Sequence, residues 1–162
     1  MRIAIIVVGL ALGVIVLGIA FWAMQCPCGR IPGTWLQGEE DTRAVPNWGF
    51  ANAEPICYIE VQGAPAHSVT LNCMADAEGS LYLSCSRCEG KRWSTIAVNT
   101  GMARIRIGDT VYPVSIERVL EPGELDRAWA ARASKLAQLR GRTGEPRPRP
   151  DHWWSFRLES RG

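Results

Sequence analysis

Histidine is scarce in this chain: His67 and His152 are the only two in 162 residues. Two separated imidazoles do not make a histidine metal centre, and no serine sits in a Gly-x-Ser-x-Gly elbow that would use one as a base. No glycine-rich phosphate loop follows a strand-like run. Hydrolase, kinase and dinucleotide-fold readings therefore drop out. Charge of one sign is also lacking. The net charge is +2, and no run of like charge exceeds three residues, which argues against nucleic acid as a partner. Internal repeats are absent too.

What is present begins at the N-terminus. Ile3–Met24 ("IAIIVVGLALGVIVLGIAFWAM") holds neither a charge nor a proline. As a helix it would cross a hydrocarbon core of roughly 30 Å. Phe21 and Trp22 fall where an aromatic belt belongs. A cleaved signal peptide would have a shorter apolar stretch and a small-x-small exit, which "FWAMQC" does not offer. The run predicts an uncleaved single-pass anchor, of the kind found in a bacterial inner membrane. The flank ahead of it is very short and should stay inside, which favours a soluble domain on the exported, periplasmic side. The bilayer is then the first expected partner.

Three sections follow: an anchor at 1–24, a linker or meandering lead-in at 25–49 rich in Gly and Pro, and a folded domain at 50–162. Within the domain, "ICYIEVQ", "HSVTLNCMA" and "SLYLSC" read as strands, with "ADAEGS" as a hairpin connection. "STIAVNT" continues the β-like series up to Gly101. "RIRIGDTVYPV" is the strongest hairpin signal, with Gly108 and Asp109 between two alternating runs. Pro113 marks an edge or a bulge there. The period then changes. About 122–140 reads as an amphipathic helix with Leu125, Ala128, Trp129, Arg132, Ala133, Leu136 and Leu139 on one stripe. A stiff loop, "GRTGEPRPRPD", leads to a last strand at about 153–159. The expected fold is mainly β (α+β): a small barrel of about six antiparallel strands with a covering helix.

Six cysteines are available. A zinc site from Cys26, Cys28, Cys85 and Cys88 would join pairs separated by most of a barrel, and the sequence does not support it, so no metal is expected. "CSRC" ends a strand rather than opening a helix. It reads as a local disulfide if the domain is exported and as two plain thiols if not. Cys57 and Cys73 read as core residues. After "CSRC", Lys91 and Arg92 stand where a strand or a short helix begins, with Trp93 beside them. Such a start suits a phosphate or carboxylate, and Trp93 could flank a flat ring. A solvated loop with a half-buried Trp is the competing reading of the same residues.

The ordered succession "YLSC", "GKRWSTIAVNTG", "RIRIGDTVYPV", "ELDRAWAARASKL" and "SFRLES" resembles the deazaflavin-dependent nitroreductase family of the flavin-binding split β-barrel superfamily. It covers about Phe50 to the C-terminus. The resemblance implies a split barrel, often dimeric, that carries the deazaflavin F420 or FMN and passes hydride to a quinone- or nitro-type acceptor. It places Lys91 and Trp93 at the cofactor, with His67 in "HSVTL" where the family has a phosphate-binding Arg. Arg92 would join Lys91 and His67 on the anionic part, and Tyr82 would join Trp93 on the ring. The family's cationic "GRxSGxxR" loop appears here as "VQGAPAH". That departure motivates a second expectation, a membrane-tethered split-barrel binding or assembly module with a degenerate cofactor site.

Overall fold

The computed structural model describes residues 2–25, 27–141 and 147–162. Cys26, the middle of the Pro/Arg loop at 142–146 and the side chain of Trp22 lie outside the described residues. Helix α1 (Arg2–Gln25) is long and apolar enough to cross a membrane, and from Ala4 to Phe21 none of it is buried against the rest of the chain.

The domain is built from β1 (Glu39–Glu40), β2 (Cys57–Val61), β3 (His67–Ala75), β4 (Leu81–Ser86), α2 (Arg92–Thr100), β5 (Met102–Ile107), β6 (Thr110–Arg118), α3 (Pro122–Arg140) and β7 (Trp153–Ser160). Six antiparallel strands run in the order β6-β5-β2-β3-β4-β7, and β7 pairs back onto β6. The barrel is closed, so it exposes no long strand edge. β1 lies parallel to β6 at Thr110 and Val111. Pro113 falls in the gap between this contact and the β7 pairing at Val114–Arg118, where its missing N–H costs no ladder bond.

Alternation along the strands fills the interior. Ile59, Val61, Leu81, Leu83, Ala103, Ile105, Val114, Ile116, Phe156 and Leu158 point inward and are buried. The two-residue turn at Gly108-Asp109 needs a left-handed residue, and Gly108 supplies it with φ +60°. Two elements stop the ends. At one end a 3₁₀ turn (Gly49–Asn52) sits with buried Trp48 and holds β3 through Asn52, which exchanges hydrogen bonds with the backbone of Ala75. At the other end lies α2, with Trp93 and Ala97 in the core and Ile96 against Gly63.

Four expectations change. "STIAVNT" is helical rather than a strand. Its β-branched residues lean toward β propensity, but Trp93, Ser94 and Ala97 share one helix face that closes the barrel, and Gly101 ends the helix in a left-handed cap. Of the two readings of 25–49, the described residues from 27 onward follow the lead-in and not the free linker. Gly33 and Ser68 exchange backbone hydrogen bonds, Leu36 is buried with its N–H donating to Glu60, and Arg106 donates to the Gln37 carbonyl. Glu60 is itself buried and accepts from Arg104, which also meets Glu40, so this lead-in is fastened by a charged network. The α3 stripe is rotated: Ala128, Ala131 and Lys135 are buried, while Leu139 is 40% exposed. Trp129 and Arg132 instead stack with Trp153 outside the barrel. Finally, Cys57 and Cys73 are core residues joined as a disulfide.

Candidate functional site

Helix α2 begins at the barrel mouth formed by the β2–β3 turn and the end of β4. The Cys85–Cys88 disulfide spans the strand-to-helix junction there, and Ser94 Oγ donates to the Cys88 carbonyl. Lys91 is the N-cap residue, exposed, with its Nζ 2.8 Å from the Ser86 carbonyl and 3.6 Å from Cys85 Sγ. Arg92, the first helical residue, donates to the Pro65 carbonyl at 3.2 Å. His67 opens β3 two residues beyond Pro65. Burial first, and then the Arg92 charge, hold its imidazole below its ordinary pKa. Three of the five expected site residues, Lys91, Arg92 and His67, therefore share one mouth.

The two aromatic ones do not join them on a common surface. Trp93 is 3% exposed, with its ring centroid 5.1 Å from that of Phe156 inside the barrel. Tyr82 is 2% exposed and packs outside β4 beneath α3, among Met74, Val119, Ala128 and Ala131. Its hydroxyl lies 3.4 Å from Glu124, and burial, followed by Asp76 and Glu124, raises its pKa.

An anionic group and a flat ring would meet different surfaces here. Lys91 and Arg92 are exposed at the start of α2, and two cations at a helix N-terminus suit a phosphate. A flat ring finds no free face on Trp93 or Tyr82. Two small clefts lie elsewhere. One of about 200 Å³ is lined by Val45, Trp48, Gly79, Arg157 and Ser160. The other, of about 210 Å³, is lined by Arg118, Leu120, Glu121 and Arg157. Among the described residues no three His, Cys, Asp or Glu side chains are grouped to hold a metal ion.

Lys135 is the charged residue that sequence reading missed. It is buried on α3, and its Nζ donates to the Ala51 carbonyl at 2.8 Å and the Cys73 carbonyl at 2.6 Å. Desolvation lowers its pKa to about 8, against an opposing pull from Glu54. The available signal was its spacing, four residues after Ala131 on the inward face.

The path of the strands has a known counterpart. A crystal structure of a candidate pyridoxamine 5'-phosphate oxidase from Listeria innocua matches with a TM-score of 0.50 at 11% identity, over 69% of this chain and 88% of that one. The domain is a split β-barrel. An FAD binding protein from Mycobacterium smegmatis is similar at a TM-score of 0.45 and 12% identity, over 70% of this chain and 90% of that one. No family model matches the chain and no curated protein is recognisably similar.

Proposed function

We propose that the protein is a membrane-anchored oxidoreductase of the split-barrel type that holds a flavin or deazaflavin at the α2 mouth. The observation that carries this reading is the convergence of Lys91, Arg92 and His67 on that mouth of a split β-barrel. FMN and F420 both present the anionic tail these residues suit. When bound, such a cofactor supplies the hydride chemistry. The chain's own residues then have three tasks. Lys91 and Arg92 neutralise the tail. The first α2 turn directs N–H groups at it. His67, already neutral at physiological pH, donates or accepts one hydrogen bond without adding charge. The anchor suits a quinone-type acceptor drawn from the bilayer, and a nitro compound is the alternative acceptor class.

The test is an absorbance spectrum of the protein solubilised from its membrane, followed by titration with FMN and F420. Micromolar uptake that weakens at least tenfold in Lys91→Ala and Arg92→Ala supports the reading. No uptake of either compound sinks it.

One observation favours a second reading, a non-catalytic tethered module: the rings of Trp93 and Tyr82 are both consumed by packing. A stoichiometric protein partner recovered with the full chain, with no chromophore present, would favour that alternative.

A further inference from the structure

The path of the chain fixes which end of the barrel meets the anchor. Gln25 ends α1, and Gly33 is pinned to Ser68 at the start of β3, beside His67 and Pro65. Eight residue steps separate Gln25 from Gly33, a reach of at most about 28 Å if fully extended. The true reach is shorter, because Cys28 and Ile31 close a tight antiparallel bridge and Cys28 is disulfide-bonded. The α2 mouth is therefore tethered close to the end of α1. The opposite end, with Trp48 and the 3₁₀ turn, is reached only after the lead-in has crossed the outside of the barrel.

The two ends also differ in charge. Arg30, Arg87, Lys91 and Arg92 stand against the single acid Glu89 in the lead-in bridge and in the β4–α2 junction. At the other end the turns at 46–56, 76–80 and 108–110 carry Glu54, Asp76, Glu78 and Asp109 and no cation, although Arg157 lines the cleft beside Trp48. Two large apolar side chains of the lead-in are exposed, Ile31 at 43% and Trp35 at 63%, while Phe50 at 46% and Ile56 at 40% are exposed at the other end. What sets the lead-in apart is that its exposed Trp and Ile stand beside cations, and a membrane interface takes both aromatic and basic side chains.

We infer that the α2 mouth docks on the surface of the bilayer that α1 enters, with Trp35 and Ile31 in the headgroup region and Arg30 on lipid phosphate. The acidic end points away into solvent. The inference rests on the anchored reading above and deepens it: the mouth holding Lys91, Arg92 and His67 would open toward the lipid, so its acceptor would be a lipid-phase molecule. Trp35, Ile31 and Arg30 lie outside that mouth and can be altered without touching it.

The test uses the full chain reconstituted in phosphatidylcholine vesicles with and without phosphatidylglycerol. Carbonate-washed flotation first reads the anchor. Phospholipids brominated near the headgroup then quench tryptophan emission in wild type and in Trp35→Phe. With seven tryptophans in the chain, the wild type should lose about a seventh more of its emission than Trp35→Phe. Arg30→Glu should reduce the extra quenching in phosphatidylglycerol vesicles more than in phosphatidylcholine alone. Flotation with equal quenching in wild type and Trp35→Phe overturns docking while leaving the anchor intact. Loss of the chain from the floating fraction after the carbonate wash overturns the anchor, and docking with it.

Discussion

The two ends of the barrel are built from the same parts and treat them oppositely. Each has a disulfide and a lysine near one of its sulfurs, Lys91 at the cap of α2 and Lys135 within α3. Lys91 Nζ lies 3.6 Å from Cys85 Sγ at the α2 end, and Lys135 Nζ lies 3.7 Å from Cys73 Sγ at the other. Lys91 is exposed and meets one carbonyl, whereas Lys135 is buried and meets two. A lysine that has given its donors to buried carbonyls is a structural tie. One that still faces water can hold a ligand. Residue type and a nearby sulfur do not separate the two roles; burial does.

The disulfides give the largest expected losses. Cys57–Cys73 closes a separation of 16 residues and Cys85–Cys88 one of 3. Replacing each pair by alanine should cost about 3 and about 2 kcal/mol respectively on loop entropy. Chemical denaturation of the two variants measures the difference, and equal losses would break the contrast.

Lysine replacement comes next. Lys135→Met strands the Ala51 and Cys73 carbonyls and should destabilise by about 2 kcal/mol. Lys91→Met should stay within about 0.5 kcal/mol of wild type, as exposed substitutions do. Its effect should appear in anion or cofactor affinity instead.

The pH response sharpens the same comparison. Lys135 titrates near 8 in the folded chain, against an ordinary 10.5. Between these values the unfolded chain binds more protons than the folded one, so stability rises with pH across that window. It falls again as pH drops toward 8 and is flat in this term below. Melting curves of wild type should shift upward from pH 8 to 10.5 relative to Lys135→Met, and parallel curves would refute the buried ammonium.

The smallest effect belongs to His67. Arg92→Ala should raise its pKa only modestly, because burial is the larger cause of its depression. Added inorganic phosphate should raise it in wild type by offsetting the Arg92 charge. Both are read from imidazole proton shifts in an NMR titration. A His67 pKa unmoved by phosphate would leave the α2 mouth without an anion site.

Much of this architecture was legible from local pattern. The clean alternation around Gly108-Asp109 is the β5–β6 hairpin, and the change to a helical period after Glu121 is where α3 begins. Glu121 caps that helix by accepting from the backbone N–H groups of Gly123 and Glu124, which also lowers its pKa. The candidate site was half legible. Lys91 and Arg92 announce themselves by adjacency at a helix start, while the fate of Trp93 depends on Phe156, a strand partner 63 positions away. The "STIAVNT" segment misleads because its four β-branched residues outvote the one face that matters.

The sequence by itself determined the apolar helix, the alternating strands, the hairpin turn and the long covering helix, because each follows from backbone preference and periodicity within a few residues. Only the tertiary structure decided that Cys57 meets Cys73, that Leu36 binds Glu60, that Lys135 is spent and Lys91 is not, and that Gly33 meets Ser68 at the start of β3. Those outcomes depend on how strands, lead-in and helices pack against one another across the barrel. That packing brings distant segments together and removes water from some polar groups while leaving it on others, and no local pattern encodes which groups lose it.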